Sequence, residues 1–379
     1  MNASARTPAS AGAHLPAFGM EDGLGKDRPD GLALRWIGRL ASLAFLCYLP
    51  VLLTERAIFG WPLSNMQLLN IGLTQINLTL IAILGALSLN YLTGCAGLIS
   101  IGHAAFYAVG AIAAAVAGTQ WGWPFPLVLV AAGVLGAVAG IVAGLPSLRV
   151  RGLYFVLSTL ALHFIVLFLL SEYQYRFFDV VGIPFEEAKL GPIALDSPLR
   201  WYFFLLPLVA LVYWCLRNTL RAREGRALMA MHDHELAATS AGIDVRILRL
   251  KAFAFSSAIA AMAGALYAYY MTNVTAEFFN INFAIQFIAM IIIGGMGSLA
   301  GSVAGALIWL LLPSIITGFA DQMGPSSGWI GQLVGPSKPQ LVNLIFGLMV
   351  ILLLIFAPGG IAGLGAHWRQ RWRQWRAAA

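Results

Sequence analysis

Ten apolar stretches, most of them long enough to cross a bilayer, constrain this chain of 379 residues more than any other feature. They lie at about 32–53, 66–92, 95–117, 125–146, 152–171, 200–216, 250–272, 283–297, 299–317 and 341–357. Crossing a hydrocarbon core of about 30 Å takes roughly 20 residues of helix, and a helix satisfies every backbone polar group within its own segment. The expected class is therefore all-α: a polytopic membrane bundle of about ten spanning helices. A hydrophobic share of 60% and a mean hydropathy of +0.81 exclude a soluble globule, whose apolar share is nearer half. The eighth and ninth stretches are short and meet at "GGMGSLAGS", so they read either as full crossings or as broken, re-entrant segments.

The net charge of +7 reports orientation rather than nucleic-acid binding. With the N-terminus inside and all ten stretches crossing, 18 of the 23 lysines and arginines fall on the cytoplasmic side. Arg56, Arg176, Lys189, Arg200 and Lys338 stay outside, and the external segment 172–199 is net acidic. Both termini are thus expected in the cytoplasm. Residues 1–31 lack apolar periodicity and read as a disordered tail, followed by a permease domain over 32–357 and a basic aromatic tail over 358–379. The first apolar stretch is followed by "TERAIFG", which offers no small-residue cleavage site, so it reads as a retained helix. Cys47, Cys95 and Cys215 have no paired spacing that would imply a disulfide framework or zinc site.

One cytoplasmic segment, 217–251, breaks the apolar monotony with charges of both signs. Within "GRALMAMHDHELAATSAGIDVRILRLKAF", the residues Ala227, Leu228, Met231, Leu236, Ala237, Ala238 and Ala241 recur at roughly helical spacing from Arg226 onward. Gly242 supplies a stop, and Asp244 is placed to cap whatever follows. A helix this short is marginal alone in water, which favours docking in a partner's groove over a solvated linker. His232 and Glu235, three apart in "HDHE", are two ligand types at helical spacing, too few for a metal site.

Five ordered stretches carry a resemblance. They are "GCAGLISIGHAAFYAVGA" (94–111), "LRVRGLYFVLSTLAL" (148–162), "GRALMAMHDHELAATSAGI" (225–243), "AGALYAYY" (263–270) and "IIIGGMGSLAGSVAGALI" (291–308). Together the chain resembles the LivM-type permeases of branched-chain amino acid ABC importers, over about 66–357. "ELAATSAG" is similar to the Glu-Ala-Ala-x-x-x-Gly coupling loop of bacterial importer permeases, with Leu236 inserted after the Glu. The resemblance implies a multi-pass subunit of the bacterial inner membrane. It implies pairing with a sister permease of the LivH type, seated on two cytoplasmic ATPase subunits and fed by a periplasmic solute-binding protein. ATP and Mg would belong to the ATPases, with no cofactor held by this chain. It further implies a coupling site in which Glu235 pairs with a basic group of the ATPase, Ala237, Ala238 and Met231 supply apolar contact, Arg226 opens the helix and Gly242 turns the chain back to the bilayer.

The residues agree that energy enters from outside the chain. No G-x-x-x-x-G-K-[ST] loop occurs, and none of the four lysines has a glycine-rich context able to cradle phosphates. A secondary transporter would need coupling carboxylates within its spans, whereas all sixteen acidic residues lie outside the apolar stretches or at their edges. A membrane enzyme would need a catalytic constellation, and neither H-E-x-x-H nor G-x-S-x-G appears.

Polar groups inside the spans are candidates for a translocation pathway, because an unsatisfied group in lipid is costly. Asn77, Asn90, Ser100, His103, Thr159, His163 and Gln286 fall in or at the ends of apolar stretches. His103 lies in the family-like "SIGHAAF", whereas His163 reads rather as a satisfied structural group. The glycine-rich stretches 94–111 and 294–308 read as loose parallel repeats, either lining the pathway or packing helices closely. Where LivM-like chains commonly carry "TLAxGE" and then "TGGxxG", this one has His163 and Phe164 and then "FFDVVGIP". The solute thus stays open among branched-chain or other amino acids, urea, short amides and aromatic acids. The terminal "HWRQRWRQWRAAA" interleaves Trp368, Trp372 and Trp375 with Arg369, Arg371, Arg373 and Arg376, the pattern of an interfacial lipid anchor rather than a nucleic-acid tail.

Overall fold

The computed structural model describes residues 72–150, 152–178 and 182–322, with short pieces at 57–58, 61–62 and within 344–363. The expected tail 1–31 and span 32–53 lie outside the described residues, as do Trp368, Trp372, Trp375 and their arginines; the span 341–357 is described only in pieces. Ten helices carry the described fold. They are α1 (Leu73–Asn90), α2 (His103–Ala114), α3 (Phe125–Gly144), α4 (Leu153–Phe177), α5 (Pro198–Arg221), α6 (Arg223–Asp233), α7 (Glu235–Ser240), α8 (Val245–Met271), α9 (Ile281–Gly294) and α10 (Leu299–Gln322). Wider π-helical turns extend α1 through Tyr91–Cys95 and α2 through Ala115–Gln120.

Six described helices are long and apolar enough to cross a membrane: α1, α3, α4, α5, α8 and α10. Contacts place the ends of the long helices alternately. At one end His232 lies against Gly97, Arg249 reaches Ser147, and Asn90 meets Gly297. At the other, Ile183–Pro184 pairs antiparallel with Asn273–Val274, and Gln174 accepts from the Ala276 amide. This is the up-and-down order expected for the second to ninth stretches. The third stretch differs from expectation, and the eighth takes the shorter of its two readings. The third is expected from residue 95, yet its helix starts at His103 because 96–102 form a non-helical turn in which Gly97 and Ile99 are exposed, and it runs on to Gln120. The eighth forms a helix of 14 residues, about 21 Å long, short of a hydrocarbon core.

Burial sorts the bundle into an inner and an outer set. Helices α1 and α8 are the most buried of the six, and α8 packs along α2 and α3. The glycines of α3 make that approach possible: a Cβ on Gly136 would stand 2.4 Å from that of Ala261, and one on Gly140 1.8 Å from Ser257 Oγ. On the opposite face of α3, Leu127, Val130, Val134, Val138 and Ile141 are exposed at helical spacing, and α4 does the same with Phe164, Ile165, Phe168 and Leu169. An outward face built from such side chains has lipid as its natural solvent.

Candidate functional site

The charged segment expected to form one short helix folds as two. Helix α6 ends at Asp233, His234 is extended (φ −150°, ψ 99°), and α7 restarts at Glu235. His232 and Glu235 therefore do not share a helical face, and among the described residues no three His, Cys, Asp or Glu side chains are grouped to hold a metal ion. The close of α7 is as the sequence requires. The Gly242 amide donates to the Thr239 carbonyl (3.0 Å) and the Ile243 amide to the Ala238 carbonyl (3.1 Å), the double bond pattern of a Schellman cap, with Gly242 at φ +82°. Asp244 then caps α8, its Oδ1 accepting from the amides of Arg246 (3.0 Å) and Ile247 (3.2 Å).

Glu235 is tied within the chain rather than left for a partner's cation. Arg249 Nη2 donates to Glu235 Oε2 at 2.6 Å, and Arg249 Nη1 donates to the Ser147 carbonyl at 2.9 Å. The guanidinium of α8 thereby joins α7 to the turn between α3 and α4. A second, exposed pair, Lys251 with Glu224 at 2.5 Å, ties α8 to α6. The expected apolar contacts also need correction. Met231 and Ala238 are buried in this chain's own core. The residue that projects is Leu236, 80% exposed, beside exposed Ala237 and Gly242. Arg226 is exposed too, its Nη1 donating to the Arg221 carbonyl at 2.8 Å. The periodicity that put Leu236 on one apolar stripe with Leu228, Met231 and Ala238 assumed an unbroken helix, and the break at His234 separates it from them.

Six of the seven candidate pathway residues sit buried in packed helix contacts. Asn90 Oδ1 accepts from the Gly297 amide at 2.8 Å, joining the two glycine-rich turns, and a Cβ on Gly94 would stand 2.3 Å from Gly297 N. His103 Nε2 lies 2.8 Å from Ser88 Oγ, and Ser256 Oγ donates to the Ser88 carbonyl, so α1, α2 and α8 share one buried polar cluster. Ser100 is buried with no hydrogen-bond partner on its Oγ. Thr159 Oγ1 donates back into its own helix, to the Val156 carbonyl, and Gly102 packs against the Thr159 carbonyl. His163 is buried with neither ring nitrogen paired, contrary to the expectation of a satisfied group. Asn77 is structural: its Nδ2 donates to the Pro198 carbonyl at 2.8 Å.

Gln286 is the exception, since it lines a cavity of about 490 Å³ between α1, α2, α8, α9 and α10. Exposed Glu277, Asn280 and Asn282 rim it at the end away from α6 and α7, while Tyr107 and Phe287 form its buried floor. Below that floor the bundle is closed: a Cβ on Gly85 would stand 2.0 Å from the Tyr107 hydroxyl, and one on Gly264 2.1 Å from the Tyr107 carbonyl. No spacing rule pointed to Glu277, Tyr107 or Phe283, because Tyr107 on α2 is far along the chain from the loop and the start of α9 that supply the other two.

A family model described as "Branched-chain amino acid transport system / permease component" matches residues 71–354. The high-affinity branched-chain amino acid transport system permease protein LivM of Escherichia coli (strain K12) is 28% identical over 312 residues, covering 75% of this chain and 68% of that protein. A probable branched-chain amino acid transport permease protein LivM of Methanocaldococcus jannaschii is 27% identical over 241 residues, covering 62% and 67%. The autoinducer 2 import system permease protein LsrC of Escherichia coli (strain K12 / DH10B) is 28% identical over 198 residues, covering 50% and 54%. No solved structure matches.

Proposed function

Because the chain belongs to the family of branched-chain amino acid ABC transporter permeases, multi-pass transport subunits that work within a complex and not enzymes, we propose that it is the moving membrane half of an amino acid importer of a bacterial inner membrane. Two cytoplasmic ATPase subunits hold ATP and Mg and press on α6 and α7. A sister permease completes the pore, and a periplasmic binding protein supplies the solute. The basic end of the bundle, with α6 and α7, faces the cytoplasm.

The observation that best supports this reading is the geometry of α7. An 80% exposed leucine is presented on a helix whose two ends are held, one by the Glu235–Arg249 pair and the other by the Gly242 cap. Rigid presentation of an apolar knob at a charged surface suits a partner's groove and not water. Closure of the ATPase dimer displaces α7, and Arg249 carries that displacement into α8 and the α3–α4 turn, shifting the bundle between two packings.

Leu236→Asp tests this directly. A substitution at so exposed a site changes the fold's own stability by about 0.5 kcal/mol or less, so membrane insertion should be normal. Co-purification with the ATPase subunits and ATP-driven uptake should both be lost. Full association and uptake in the Asp variant would remove α7 as the coupling element.

A further inference from the structure

The cavity rimmed by Glu277 carries an inference that rests on the transport reading and goes beyond it. Glu277 is the one charged residue among its lining groups, no lysine, arginine or histidine shares the space, and no ion pair engages that carboxylate among the described residues. Beneath it stand close-set aromatic rings. Phe283 and Phe287 lie edge to face with centroids 5.0 Å apart, Tyr107 and Phe287 at 4.9 Å, and Tyr267 and Phe283 at 6.0 Å. The Tyr107 hydroxyl is fixed by donating to the Ile81 carbonyl at 3.3 Å.

This arrangement discriminates by charge. A carboxylate beside aromatic rings attracts an ammonium both directly and through the negative faces of the rings, and the attraction strengthens as water is excluded. The same field opposes a carboxylate-only solute. The rings supply the area to enclose an apolar body, and about 490 Å³ is within the range of small-molecule sites. We infer that this cavity is a charge-selective solute site, in which Glu277 receives a protonated amino group while Tyr107, Phe283 and Phe287 enclose a compact aliphatic body. The permease then screens its cargo a second time, admitting amines and zwitterionic amino acids and refusing simple carboxylic acids.

The test is binding of tritiated leucine to the permease co-purified with its ATPase subunits in nanodiscs, with no binding protein present. Isopentylamine, which is leucine without its carboxylate, should displace the label; isocaproate, which is leucine without its amine, should not. Glu277→Gln should weaken leucine binding at least about tenfold, equivalent to about 1.4 kcal/mol, while co-purification with the ATPases stays normal. Phe283→Ala should weaken leucine and isopentylamine alike. Wild-type binding in the Gln variant, displacement by isocaproate equal to that by the amine, or no leucine retained by the wild type would each overturn the inference. Uptake in proteoliposomes supplied with binding protein separates the two claims. ATP-dependent uptake with an indifferent Glu277→Gln variant sinks the cavity assignment alone, whereas uptake indifferent to ATP sinks the transport reading.

Discussion

Replacing Gly242 examines how α7 is held, and the structure sets the size of the effect. The residue has φ +82°, and a Cβ built there meets nothing within 4 Å, so alanine introduces backbone strain without collision. A left-handed conformation costs a residue with a Cβ about 1–2 kcal/mol, and asparagine tolerates it better than alanine. Proline is worse on two counts. Its ring fixes φ near −65°, and it deletes the amide that donates to Thr239, so the loss should reach about 3 kcal/mol. The Ile243 amide, which donates to Ala238 across the cap, reports the opening by hydrogen exchange. A cost of 1–2 kcal/mol corresponds to exchange about 5- to 30-fold faster in Gly242→Ala, with Gly242→Asn between alanine and wild type and Gly242→Pro fastest. Uptake should fall in the same order while insertion stays normal. Alanine exchanging as slowly as glycine, or asparagine exchanging faster than alanine, would refute the reasoning, because the left-handed cap would then not be what holds the helix end.

The Glu235–Arg249 pair should behave as a coupled unit. A cycle of Glu235→Gln, Arg249→Met and the double variant, followed by thermal unfolding, should give a coupling energy of about 1–2 kcal/mol, since the carboxylate side chain is still 26% exposed and partly screened. Additivity within error would mean that the 2.6 Å contact carries no energy. In the bundle interior, Gly110→Val should cost at least about 1–3 kcal/mol and sharply reduce the yield of folded protein. A Cβ there would stand 1.9 Å from the Ala261 carbonyl oxygen, so α2 and α8 must separate to admit it. The same change at Gly122, where a Cβ meets nothing within 4 Å, should cost less and only through its φ of +64°. Equal yields for the two variants would show that the α2–α8 approach is not tight.

Much of the bundle was legible before any coordinates because its determinants are local. Helix length against hydrocarbon thickness picked out the six described helices that are long and apolar enough to cross a membrane. Asp244 and Gly242 announced a helix start and stop within a few residues of where they act. The turn at Gly295–Ser298 between α9 and α10 falls where the glycine-rich run suggested, with Gly94 packed tightly on Gly297. The coupling segment was legible only in part. The break at His234 has no glycine or proline to signal it, and it coincides with a carboxylate drawn to an arginine fourteen residues away. Once the helix breaks, the periodicity that put Leu236 on one stripe with Leu228 and Met231 no longer applies.

A bilayer imposes its demands one segment at a time, so composition and spacing sufficed to establish an all-helical membrane chain with one charged surface segment, whose caps are local hydrogen bonds. Which polar groups would face a cavity and which would be sealed between helices was decided by the fold. Asn90, His103 and Gln286 look alike along the chain, yet the turn between α9 and α10 closes on the first, α1 and α8 close on the second, and α9 turns the third toward a space walled by Tyr107 and Phe283. That outcome depends on which helix faces meet, a relation between residues more than a hundred positions apart that no local pattern encodes.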